Sequence, residues 1–149
     1  MVRAVLAVVA GYVAMLLIIF CVFTVAYLLM GADNAFRPGT YEPSPLWLVI
    51  NFVLAPIAAV CGGLVCALIA RPGSWAHVSL AWVVLALGLV MVLPVLTNSR
   101  PDPGPRTADV PNLEAMTKAK QPVWVAVANP IIGAAGVLLG ARLRAPTKP

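Results

Sequence analysis

The stretch AVLAVVAGYVAMLLIIFCVFTVAYLLMGA, residues 4–32, lies between Arg3 and Asp33 and holds no charged side chain. Coiled as a helix at about 1.5 Å per residue, it outreaches a hydrocarbon core of about 30 Å. In hydrocarbon every backbone amide must find a partner within the chain, and a helix meets that demand by itself. The reading is a first membrane helix over residues 5–29. A secretory leader would have an apolar region of roughly 7–15 residues. This run continues to Met30 without a clean small-x-small cleavage site, so the expectation is an uncleaved span.

Three further runs follow the same pattern. One lies between Glu42 and Arg71, with Pro45 and Trp47 at its start, and is placed at residues 46–70. Proline is tolerated in the first helical turn, where its missing N–H costs nothing. Tryptophan suits the interface between water and lipid. The turn Arg71-Pro72-Gly73-Ser74 leads past Trp75 and His77 to a third run at 78–96. Its wealth of Val and Leu and its poverty in glycine predict a large lipid contact. The fourth run, 123–141, ends before Arg142, Arg144 and Lys148. The fold class is therefore all-α: a polytopic membrane protein forming a four-transmembrane-helix bundle, one membrane domain over residues 1–149.

Composition agrees. Of the residues, 62% are hydrophobic and 10% charged, against about 25% charged in a soluble domain. The net charge of +5 comes from lysines and arginines scattered between apolar segments. No basic stripe suits nucleic acid, so the partner implied is the lipid bilayer, with a second copy or another membrane protein as further candidates. Four spans put the two ends of the chain on one side. Basic residues close to span ends in short segments weigh most in orientation. Arg3, Arg71, Arg142 and Arg144 abut spans, whereas Arg37 and Arg106 do not. The expectation is an integral protein of a bacterial cytoplasmic membrane with both ends cytoplasmic. Residues 98–121 then form an outer loop, irregular at Pro101, Pro103, Gly104 and Pro105. A short helix is expected over 109–120 with Asp109 as its N-cap; otherwise the loop reads as a solvated linker.

The second and fourth spans share a pattern. Asn51, Ala55, Ala58 and Gly62 stand at the same offsets as Asn129, Gly133, Gly136 and Gly140. Offsets of 4, 7 and 11 fall on one narrow helical stripe. Small residues let membrane helices approach closely, and a buried amide can hydrogen-bond across the contact. Two tandem helical hairpins are one reading, with the second and fourth spans central; convergence is the other. Asn51 and Asn129 are expected either as an interhelical polar pair or as the lining of a pathway. Gly62, Gly133, Gly136 and Gly140 are expected as packing residues, Gly136 and Gly140 forming a G-x-x-x-G.

Catalytic, cofactor and metal sites are not expected. No Asp, Glu, Lys or Arg interrupts the apolar runs, whereas proton relays and voltage sensors place such residues inside spans. Cys61 and Cys66 are spaced C-x4-C, not the C-x-x-C of quinone-linked thiol–disulfide enzymes. On a helix that offset turns the two sulfurs to different faces. Cys21 sits alone in the first span. His77 is the one histidine and has no ligand partners nearby in sequence. The leading functional expectation is a non-catalytic accessory or structural membrane component. The alternative is an oligomeric channel or transporter subunit for a neutral or weakly polar solute.

Overall fold

The computed structural model describes residues 1–71, 74–97, 103–106 and 110–144. Pro72, Gly73, Asn98, Arg100, Pro101, Asp102, Asp109 and Lys148, all used in the sequence reading, lie outside them. The chain forms α1 (Val2–Met30), α2 (Ala32–Ala35), α3 (Pro45–Ile69), α4 (Ala76–Leu96), α5 (Asn112–Lys118) and α6 (Val123–Arg142). Four of these, α1, α3, α4 and α6, are long and apolar enough to cross a membrane. The protein is a four-helix membrane bundle.

Two helix ends, at Leu96 and Val123, fall where expected and the others depart by one to three residues, with side-chain hydrogen bonds near three of the starts. Arg3 lies inside the first turn of α1, because its Nε donates to the Ile69 carbonyl of α3 at 2.7 Å. The charge is thus a tether within the helix and not its boundary. Ser44 caps α3, its Oγ accepting from Trp47 N at 3.1 Å, so that Pro45 is the first helical residue. α4 has Trp75 at its N-cap position, and Ser74, one residue earlier, accepts from Ala76 N at 3.1 Å, which starts that helix before Val78. At the other end of α1, Gly31 adopts φ 72°, a conformation that favours glycine. Its N–H still bonds to Tyr27 O at 2.8 Å. α2 is a single turn that follows directly.

In cross-section the order is α1, α3, α6, α4. α3 and α6 lie side by side, α1 packs on α3, and α4 packs on α6. α4 returns to α1 near the end of the bundle that holds both chain ends, here called the terminal end. There a Cβ on Gly11 would lie 2.8 Å from Leu80 Cδ2. Ala7, Cys66, Leu80 and Val137 form a fully buried core at this end. α3 and α6 run parallel, since Asn51 meets Asn129 near both helix starts while Val60 meets Gly140 nearer both ends.

The approach of α3 to α6 is close enough to reach backbone. A Cβ on Gly63 would overlap the Val137 carbonyl, and one on Gly140 would overlap the Val60 carbonyl. A Cβ on Gly136 would come within 2.8 Å of Ala59 Cβ. Gly133 is looser and faces α4, with Val84 Cγ1 at 3.1 Å. Gly62 departs from the expected stripe. It faces α1, where its Cβ would meet Met15 Cβ at 2.8 Å, and Gly63 takes its place against α6. The reason lies in the parallel crossing, which rotates the contact one residue along α3 below Ala59.

The opposite, loop end carries its own apolar cluster. Tyr27, Phe36, Tyr41, Val110 and Ala115 are buried together. Their rings meet edge-on, Tyr27 with Phe36 at 6.3 Å and Phe36 with Tyr41 at 5.8 Å. The loop before α6 is therefore docked where Val110 and α5 sit, not merely solvated. α5 starts at Asn112, after Pro111, and is shorter than the expected helix.

Candidate functional site

Asn51 and Asn129 come together. Asn51 Nδ2 donates to Asn129 Oδ1 at 3.0 Å across the α3–α6 contact. Both side chains are half-buried. Just beside them Phe52 stacks on Trp124, with ring centroids 5.6 Å apart and planes 14° apart. The polar pair and the stacked pair hold the loop-end halves of the two helices together.

The amide pair forms part of the wall of a cavity of about 460 Å³. Met15, Ile19, Phe20, Phe23 and Tyr27 supply the α1 wall. Trp47, Asn51, Ala55 and Ala59 supply the α3 wall, facing Asn129 and Gly133 of α6. α4 contributes Val84. Towards the terminal end the tight packing of Leu80, Cys66 and Val137 leaves no room, since all three are fully buried. The cavity is thus blind and confined to the loop-end part of the bundle.

α5 roofs it. Asn112, Ala115, Met116 and Ala119 line the cavity from above. Asn112 Nδ2 donates to Thr24 Oγ1 of α1 at 3.0 Å, and the Tyr27 hydroxyl donates to the Val110 carbonyl. Lys118 closes the last turn of α5 by bonding Glu114 at 2.7 Å, with its Nζ 5.5 Å from the Tyr41 ring centre. The hydrogen bond that Lys118 donates to Glu114 pushes its amine above its ordinary value of 10.5. On the far side of the roof Arg106 pairs with Asp33 at 2.6 Å.

Phe20 lines the cavity while being 52% exposed. It sits within the α1 span, and Met116 of α5 lines the cavity while being 53% exposed, so the cavity has one open edge along the span and another at the roof. The described lining offers amides, aromatic rings and alkyl groups, and contains no Ser, Cys, His, Asp, Glu, Lys or Arg.

The cysteines are spread apart in exposure: Cys66 is buried, Cys61 half-buried and Cys21 exposed. Among the described residues no group of three or more His, Cys, Asp or Glu side chains is arranged to hold a metal. The sequence points Trp47 to interfacial anchoring, places Asn112 in a short loop helix, and gives neither residue, nor Gln121, a part in a cavity. Asn112, Ala115, Met116 and Ala119 stand at helical offsets of 3, 4 and 7, a one-faced signal that was legible in the sequence. No protein family model matches the chain, and no curated protein or solved structure matches it.

Proposed function

We propose that this chain is a non-catalytic accessory protein of a bacterial cytoplasmic membrane that reversibly holds a small, mainly apolar molecule taken from the bilayer. The blind cavity of about 460 Å³ between α1, α3, α5 and α6 carries the reading. Its volume lies in the range of ordinary ligand pockets, roughly 300–1,000 Å³. Of its two open edges, the one at Phe20 belongs to a membrane span and would admit apolar molecules from the bilayer, where they are concentrated. Its lining supports binding over chemistry, because amides and aromatic rings orient a ligand, and the one phenol there, that of Tyr27, is engaged with the Val110 carbonyl.

A channel subunit would need a path onward from the cavity. The buried packing of Leu80, Cys66 and Val137 favours the holding reading over that one. Orientation with both ends in the cytoplasm is supported by the basic residues gathered at the terminal end. Arg3 and Arg144 donate to the Ile69 and Ala67 carbonyls there, at 2.7 and 2.6 Å. These carbonyls belong to the last turn of α3, where the helix leaves acceptors unpaired and cations are favoured.

The test uses purified protein in liposomes. A hydrocarbon chain carrying two bromines, dispersed in the bilayer, should quench Trp47 fluorescence with a saturable component. That component should vanish in Trp47→Phe. No flux of small neutral solutes should accompany it. Solute flux above protein-free liposomes would favour the channel reading, and quenching that rises only linearly with probe would remove the holding site.

A further inference from the structure

The amide pair in the cavity wall has hydrogen-bonding capacity left over. Each asparagine side chain carries one acceptor oxygen and one donor NH₂ group. The bond between them uses Asn51 Nδ2 and Asn129 Oδ1. Asn51 Oδ1 and Asn129 Nδ2 make no hydrogen bond among the described residues, and neither is a sealed polar atom, since the only one of those is Arg106 Nε. Both residues line the cavity. Turning both amides over exchanges the roles and leaves the same offer, one donor and one acceptor. In a low-dielectric wall such groups gain most from a ligand that pairs with both.

Resting on the holding function above, we propose that the molecule bound is an uncharged amphiphile with one apolar chain. Its headgroup both donates and accepts hydrogen bonds at Asn51 and Asn129, as a hydroxyl or primary amide can. Its chain leaves past Phe20 into the bilayer. Charge is selected against by the lining: no acidic or basic side chain faces a headgroup there, and an ion buried without a counter-charge is costly. Gln121, also in the lining, extends the polar wall towards the roof.

The experiment compares four probes that share one dibrominated chain and differ at the head: a monoacylglycerol, a fatty acid held ionised at high pH, a protonated alkylamine, and the headless alkane. Each is titrated into liposomes holding the full chain, with Trp47→Phe as the blank. The monoacylglycerol should half-saturate the Trp47 signal at about tenfold lower mole fraction than the alkane, the gain of roughly one net hydrogen bond. The two ions should fall at or beyond the alkane. Asn129→Leu should bring the monoacylglycerol to the alkane's value while leaving saturable quenching in place. Four equal half-saturation points, or tighter binding of either ion, would overturn the headgroup assignment and leave the apolar holding site standing. Absence of saturable quenching with every probe would overturn both. The probe series is read on the natural chain, so a failure of Asn129→Leu to fold does not shield the proposal.

Discussion

At the scale of the residue, the pairing of Asn51 with Asn129 is the polar contact that joins the two central helices. An interhelical hydrogen bond in a membrane contributes about 0.6–2 kcal/mol, limited because the separated helices also find partners. Asn51→Leu should lower the unfolding free energy in mixed micelles by about that amount. Asn129→Leu should do the same, and the double substitution should cost little more than either alone, because each removes the same bond. Additive losses in that cycle would show that the two amides act separately. Lys118 makes a different kind of contribution. Its folded-state pKa is raised by Glu114, so the stabilisation is complete below the ordinary value of 10.5 and fades as pH climbs through the raised one. Amide exchange within α5, corrected for its intrinsic pH dependence, should therefore show unchanged protection between pH 6 and 9. Lys118→Met should weaken that protection without moving the exchange of α3 or α6.

At the scale of the element, the α3–α6 contact is governed by absent side chains. Gly140→Ala would drive a methyl group into the Val60 carbonyl, which is backbone and has little freedom to yield. A loss of about 1–3 kcal/mol is expected, the usual cost of overpacking. Gly133→Ala meets only the Val84 Cγ1 at 3.1 Å, a side-chain methyl that can turn aside, and should cost markedly less. Thermal unfolding of the two variants in one detergent compares them directly. Much of this contact was legible in the sequence, because the offsets of Asn129, Gly133, Gly136 and Gly140 describe a helical stripe whatever it packs on. What periodicity does not encode is the partner. Gly62 and Gly63 are neighbours in sequence, and only the rotation of α3 about its axis decides that one faces α1 and the other α6. The roof was legible only in part, for another reason. Val110 and Ala115 are buried by Tyr27, Phe36 and Tyr41, residues distant in sequence. The spacing on α5 marks a face, but a segment rich in proline and charge does not tell what that face docks on until the aromatic cluster beneath it exists.

At the scale of the whole molecule, the ring of four helices is tight at one end and parted at the other, and the cavity follows from that difference. Small residues at Ala7, Gly11 and Ala76 let α1 and α4 approach at the terminal end. Towards the loop end the facing residues enlarge to Ile19, Phe20 and Phe23, which line the cavity instead of filling it. Helix count and orientation can be tested together. With Cys21 and Cys61 replaced by alanine and the buried Cys66 retained, a cysteine is placed at exposed Thr117 on α5 or at exposed Leu143 beyond α6. An even number of spans separates Leu143 from Met1, while one span separates it from Thr117. A membrane-impermeant maleimide applied to intact cells should label Thr117→Cys and reach Leu143→Cys only after the membrane is opened. The reverse pattern would turn the molecule over, and the cavity with it, so that its roof faced the cytoplasm. Labelling of both from outside would deny that α6 crosses the bilayer. The amide pair could not then lie at bilayer depth, for half of it is carried by that helix.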